Sequence, residues 1–222
     1  MKKPLASSRV EKLSVVEASA PVYRSATRPP RRLTAQRQPS PSEAVAGVEV
    51  IAHDSRKLLL RPIRPDDAAA LRRAFKRLTP EQIRSRFFFR MNELSEEMAQ
   101  RLCNVNAQMS AAFVVTDADD VAPAEVEIRG EARMHVDAVT QSAEFAVVVD
   151  PAFIGQGIGS VLLRCLITEC RRRGLLELWG DVLADNHAML DLVRHLEGEH
   201  TIGQGSEAGV TRVRMVVPSA AR

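Results

Sequence analysis

Between Val147 and Ser160 the chain reads VVVDPAFIGQGIGS, with Gly155, Gly157 and Gly159 alternating at its end. Glycine at that spacing lets a backbone turn sharply and come close to a ligand. The stretch that follows has a helical pattern, and the unpaired N–H groups at the start of a helix face whatever anion lies in the preceding turn. A phosphate-bearing cofactor is the natural occupant. A dinucleotide loop needs G-x-G-x-x-G early in a doubly wound domain, with an acidic residue about 20 positions on. Here the spacing is G-x-G-x-G and several strands precede it. A P-loop needs a lysine after its last glycine, and the last lysine of this chain is Lys76. Neither nucleotide pattern fits.

Two carboxylates near the loop can move a proton. Glu144 is the single charge in AEFAVVV (Ala143–Val149). Strand alternation puts it with Ala146 and Val148, opposite Phe145, Val147 and Val149. Cover over that face raises a carboxyl pKa, which suits a base taking a proton from an ammonium group. The competing reading is a solvated or salt-bridged carboxylate at a strand end. Glu131, on the polar face of a neighbouring strand, is the second candidate. Cys165 and Cys170 fall on the apolar side of the helix after the loop and read as core, which argues against a cysteine relay. The five histidines share no ligand spacing with a cysteine or a second-helix partner, so no metal site is expected.

These groups need elements to hold them. Lys57–Ile63 reads as a buried strand. Helices are predicted over Ala68–Arg77, over Pro80–Phe88 opened by Thr79, and over Ser95–Leu102 with Ser95 as cap. Ser110–Thr116 is the next strand. Glu125–Val136 alternates throughout, with Val126, Ile128, Gly130, Ala132, Met134 and Val136 on one face, which predicts a half-exposed antiparallel strand. Ala143–Val149 is apolar on both faces apart from Glu144 and reads as a central strand. A helix over Ser160–Arg173 follows, ended by Gly174. A strand over Leu176–Leu183, a helix over Asp185–Leu196 and a strand over Val210–Val217 complete the series. The fold class is α+β, with helices on both faces of a mixed, mostly antiparallel sheet. One right-handed βαβ crossover makes Ala143–Val149 and Leu176–Leu183 parallel.

Charge divides the chain of 222 residues. Residues 1–46 carry nine Lys/Arg and three Glu, a net of +6, so the rest is −3 against a total of +3. The run SATRPPRRLTAQRQPSPS has almost nothing to bury and is expected to be disordered. It reads as a solvated extension, the alternatives being a targeting peptide or a weak anchor on nucleic acid or anionic lipid. Residues 47–222 are expected to form a single domain. No apolar run approaches the roughly 18 residues of a membrane span. Three cysteines without a Cys-x-x-Cys fit a reducing cytoplasm. Arg171–Arg173 lack interleaved aromatics and read as a solvated helix end, not a nucleic-acid site.

The segment AEFAVVVDPAFIGQGIGSVLLRCLI resembles the acetyl-CoA motif of the GNAT acetyltransferase superfamily, whose core is R/Q-x-x-G-x-G/A. LLLRPIRPDD, RFFFRM, LSEEMAQRL and DVLADNHAML follow an order similar to that of bacterial protein lysine acetyltransferases. The resemblance covers about Lys57 to Val217. It implies a GNAT-like fold, acetyl-CoA as co-substrate and no metal. It also implies an amine acceptor, a lysine of a protein such as an acyl-CoA synthetase being one candidate, and a monomer or homodimer acting without specific nucleic acid or membrane. Glu144 matches the glutamate that the family places on this strand. Val147, Val148 and Val149 match the strand whose backbone holds the pantetheine arm and polarises the thioester carbonyl. Gly155, Gln156, Gly157, Ile158, Gly159 and Ser160 match the diphosphate loop. Asn186 matches an amide that contacts the cofactor arm, although capping of its helix explains it as well. Two departures stand out. Ile154 occupies the Arg/Gln position and donates nothing from its side chain, so Gln156 or Ser160 is expected to make good the loss. The single tyrosine, Tyr23, lies in the basic extension, where relatives place a tyrosine acid near the thiolate. Phe87–Phe89 either lines the acceptor pocket or belongs to the core. An acyl-CoA-binding regulatory module without chemistry is the alternative function.

Overall fold

The computed structural model describes residues 47–88, 91–117 and 125–218. The basic segment 1–46, with Tyr23, and Phe89 lie outside them. Eight strands form one sheet: β1 (Val48–Ile51), β2 (Lys57–Pro62), β3 (Ser110–Asp117), β4 (Ile128–Asp137), β5 (Ser142–Val149), β6 (Glu177–Leu183), β7 (His200–Gln204) and β8 (Val210–Val216). Their order is β1-β2-β3-β4-β5-β6-β8-β7. Every neighbouring pair is antiparallel except β5 and β6, which the crossover makes parallel.

Five helices cover the sheet: α1 (Ala68–Arg77), α2 (Pro80–Phe87), α3 (Glu96–Cys103), α4 (Ile158–Arg172) and α5 (His187–His195). One face is packed by α4 and α5, where Leu162, Leu163, Leu166, Cys170 and Val193 meet Ala132, Met134, Ala143 and Phe145. On the other, Leu71, Phe75, Ile83 and Ala99 of α1, α2 and α3 meet Val114 and Ile128. Local chemistry sets the ends of these helices. The Thr79 side chain accepts from Gln82 N–H while the Gln82 side chain accepts from Thr79 N–H, a reciprocal cap for α2. Ser95 caps α3 by accepting from Met98 N–H. The chain leaves α4 through Gly174, at φ +70°.

The expected half-exposed face of Glu125–Val136 is corrected by the structure. Val115 pairs with Gly130 but Thr116 pairs with Ile128, so Arg129 is an extra residue, a β-bulge. The bulge shifts the alternation by one. Ile128 and Val126 pack toward α1–α3, whereas Ala132, Met134 and Val136 pack toward α4. The polar face is also covered, since Glu131 is buried and Arg129, Arg133 and His135 are half-buried. The carboxylate of Asp150 holds this region together, binding Arg77 at 2.7 Å and Arg129 at 3.5 Å. At the helix end Arg171 and Arg172 are exposed as expected, and Arg173 is the one held against the fold. Arg173 pairs with Glu169 at 2.7 Å and donates to the Ser110 carbonyl at 3.0 Å. Two short strands at the sheet edges, β1 and β7, add to the six that alternation predicts.

Candidate active site

The parallel pair at the centre of the sheet is short. β5 and β6 are in register only at Ser142–Glu177, Ala143–Leu178 and Glu144–Trp179, and beyond Glu144 they diverge. The next pair of positions shows the means. A Cβ on Gly180 would lie 2.8 Å from the Phe145 ring, so the ring occupies the space over a residue without a side chain. Past that wedge, Val147, Val148 and Val149 keep β4 on one side and lose β6 on the other. Asp150 N–H donates to the Arg129 carbonyl on the β4 side. Successive residues of a strand address alternate neighbours, so Val147 and Val149 turn N–H and C=O to the open side. Gln82 Nε2 already donates to the Val149 carbonyl at 2.8 Å.

At the mouth of this V lies the glycine loop. Asp150 caps a 3-10 turn, Pro151–Phe153, by accepting from Ala152 N–H. The chain then passes Gly155 at φ +77° and Gly157 at φ +83°, and enters α4. The left-handed backbone at Gly157 favours a residue without Cβ, and an added Cβ would lie 2.8 Å from His53 Nε2. Ile158 is a core residue whose side chain lies under the sheet, so only its backbone faces the loop. Gly159 lets α4 approach Leu192 of α5. Ser160 is half-buried in the first turn of α4.

Glu144 stands at the apex of the V, half-buried, opposite His135 on β4 and beside Trp179 on β6. His135 Nδ1 is 3.0 Å from Ser110 Oγ, and the Arg212 guanidinium lies 4.2 Å over the Trp179 ring. Glu131 shares the sheet face but not the role expected of a base. It is buried between Arg133, at 2.7 Å, and Arg86, at 3.3 Å. Burial alone pushes its carboxyl up, but the two guanidinium charges and their hydrogen bonds hold it below the usual range. Such a carboxylate is a poor proton acceptor at neutral pH.

Asn186 is the N-cap of α5, its Oδ1 accepting from Met189 N–H at 3.2 Å, which leaves the amide NH2 as the part able to donate to a ligand. Asp185 pairs with Arg84 instead. Gln156 is tied to the β1–β2 hairpin, its Oε1 accepting from Asp54 N–H at 3.0 Å, which leaves its amide NH2 as the part able to donate. Ile154 is 58% exposed and presents an apolar side chain beside the loop. Phe87 packs 5.8 Å from the Phe75 ring, as its core reading expects, and also lines a small cavity of about 30 Å³ with Leu102, Ile128, Glu131 and Val148. His53 and Gln82 escaped the sequence reading. His53 lies about a hundred positions from the loop it touches, and the Thr79–Gln82 cap carries no sign that Gln82 also reaches Val149.

Among the described residues, no helix is long and apolar enough to cross a membrane, and no group of three or more His, Cys, Asp or Glu is placed to hold a metal ion. The thiols are shielded. Burial pushes Cys103 and Cys170 up to about 12, and Cys165 up to about 11.

Comparison with known proteins agrees with this architecture. The family model described as an acetyltransferase (GNAT) domain matches residues 57–199. An acetyltransferase of Pseudomonas aeruginosa is 32% identical over 139 residues, covering 63% of this chain and 73% of that protein. The ribosomal protein bS18 alanine N-acetyltransferase of Salmonella typhimurium is 36% identical over 76 residues, 32% of this chain and 51% of its own length. This chain thus spans about half of that relative. Among solved structures, the GNAT domain of S. lividans PAT superposes with a TM-score of 0.67 at 24% identity, over 77% of this chain and 96% of that one. YncA of Salmonella typhimurium, with its cofactor acetyl-CoA, gives 0.55 at 18% identity, over 74% and 96%.

Proposed function

Because the chain belongs to the GNAT acetyltransferase family, we propose that it acetylates an amine by direct attack, with Glu144 as general base and a lysine side chain of a protein as acceptor. The observation that carries the reading is the open side of β5, with the glycine loop at its mouth and Glu144 at its apex.

The residues present fit acetyl-CoA, which when bound supplies the activated acetyl group as a thioester. Backbone N–H groups of Gly157, Ile158, Gly159 and Ser160, at the positive end of the α4 dipole, suit the diphosphate. The open-side N–H and C=O of Val147 suit the amides of the pantetheine arm, and Asn186 offers its amide NH2. An N–H fixed on that edge is also placed to polarise an acyl oxygen without reorganising. Glu144 removes the proton that keeps the acceptor amine cationic and so frees its lone pair. Alternation with the buried Ala143 and Phe145, which pack toward α4, places half-buried Glu144 on the opposite face of the sheet. That a relative acts on an alanine of ribosomal protein bS18 supports a protein acceptor. A bacterial cytoplasm fits the relatives and the three free thiols.

The test is Glu144→Gln. The variant is expected to bind CoA as the parent does and to lose roughly 10²- to 10⁴-fold in turnover, the usual worth of general base catalysis. Full activity would remove Glu144 from the role. With labelled acetyl-CoA and a bacterial lysate, label on lysine Nζ supports the acceptor assignment; label confined to protein N-termini or small amines overturns it.

A further inference from the structure

We propose that His53 is a positioning residue for the diphosphate loop, orienting backbone donors where the side chain at position 154 supplies none. The inference rests on the reading that CoA binds at Gly155–Ser160.

The turn between β1 and β2 docks on that loop through several contacts. His53 Nδ1 is 3.0 Å from the Gly155 carbonyl. A carbonyl oxygen only accepts, so Nδ1 carries the proton. His53 N–H donates to the Gln156 carbonyl at 3.3 Å, and Asp54 N–H to the Gln156 side chain at 3.0 Å. Arg56 donates to the Ala152 carbonyl at 3.4 Å and stacks 3.7 Å over the Phe153 ring.

These bonds have a directional consequence. A trans peptide points its N–H opposite to its C=O. Holding the Gly155 carbonyl toward the hairpin turns Gln156 N–H away, and it is accepted by the Phe153 carbonyl at 3.3 Å. Holding the Gln156 carbonyl the same way turns Gly157 N–H away from the hairpin, at the start of α4. The imidazole lies against the Cα of Gly157, filling the space a side chain would take. The hairpin therefore fixes the back of the loop and pre-aims its donors, lowering the ordering cost of binding. With Ile154 exposed and apolar beside it, the loop depends on that aim.

The test uses the full chain with His53→Ala, His53→Asn and His53→Gln. Dissociation constants for CoA are measured by calorimetry, and steady-state kinetics with acetyl-CoA and with S-acetyl-pantetheine, which lacks the diphosphate. His53→Ala is expected to raise the CoA dissociation constant and the acetyl-CoA KM about five- to ten-fold, the worth of roughly one hydrogen bond, with the loss on KM and not on kcat. The loss should vanish with S-acetyl-pantetheine. His53→Asn, whose Nδ2 overlays the imidazole Nδ1, should restore affinity to within about two-fold. The proposal is overturned if His53→Ala binds CoA as tightly as the parent, or if the loss is equal for S-acetyl-pantetheine. Rescue by His53→Gln in place of Asn also overturns it, because that amide overlays Nε2 and would mark a direct phosphate contact. If the parent itself fails to bind CoA, the cofactor reading falls and this inference with it.

Discussion

Replacing Gly157 by alanine tests the loop geometry most directly. The residue sits at φ +83°, ψ −5°, which costs an L-residue with a side chain about 1–2 kcal/mol. The new Cβ would lie 2.8 Å from His53 Nε2, closer than packed atoms stand. The imidazole can swing aside, but that forfeits its bond to the Gly155 carbonyl, a net of about 0.5–1.5 kcal/mol. The total is about 2–3 kcal/mol, and thermodynamics dictates where it appears. If the loop keeps its shape, the cost falls on folding, and the melting temperature drops by roughly 5–10 °C for a domain of this size. If the loop relaxes, the cost falls on binding, and the CoA dissociation constant rises roughly 30- to 150-fold. Calorimetry of unliganded unfolding, together with titration by CoA, measures both parts. Adding His53→Ala should cost less than the sum of the two single changes, because the clash and the lost bond are one event. Gly157→Ala with melting temperature and affinity both unmoved would refute the reasoning.

Arg86→Met should destabilise the fold by about 3 kcal/mol in denaturant titration, since it leaves the buried Glu131 carboxylate with Arg133 as its remaining ion-pair partner among the described residues. Acid should act through the same group. Its folded-state pKa lies below the ordinary value of 4.5, so its contribution to stability is complete above that pH and is lost as pH falls through the lower folded value. Melting temperature should therefore fall below pH 4.5, and less steeply in Glu131→Gln. With their thiols raised to about 11 and 12, Cys103, Cys165 and Cys170 should resist thiolate reagents at pH 8 in the native protein and react once it is unfolded. Intact mass after mixing with acetyl-CoA should show no acetylated cysteine.

The parts of this architecture that local order determines were legible in the sequence. The glycine loop, the helix after it and the caps at Thr79, Ser95 and Asn186 depend on neighbours a few positions away. Strand alternation made β4 visible, yet the bulge at Arg129 reverses the face of Ile128 relative to Ala132, and an extra residue in a ladder shows only when the partner strand is known. β1 and β7 escaped because edge strands are short and lack a buried face; Ile51 is largely exposed, and β7 reads HTIGQ. The apex of the V was half legible: Glu144 is conspicuous as a lone charge, whereas the wedge of Phe145 over Gly180 joins residues with a helix between them. The pairing of Glu131 with Arg86 and Arg133, which removes the second candidate base, is tertiary throughout. So is the seating of His53 on the loop.

The divergence of β5 and β6 has a consequence for the mechanics of the whole sheet. Five strands on one side are joined to three on the other by the register of three residue pairs and by the crossover through α4. That line is a seam, where a lateral fluctuation meets the fewest interstrand hydrogen bonds, so the open-side amides of Val147 and Val149 should exchange with solvent faster than those of β4 beside them. A ligand arm bonded along the β5 edge would bridge the opening and stiffen it. The slowing of exchange should then extend beyond the contacted residues into β8 and β7, whose connection to the rest of the sheet runs through β6. The line expected to yield most is thus the line proposed to hold the cofactor, and occupancy of the cleft should register as slower exchange at the sheet's far edge.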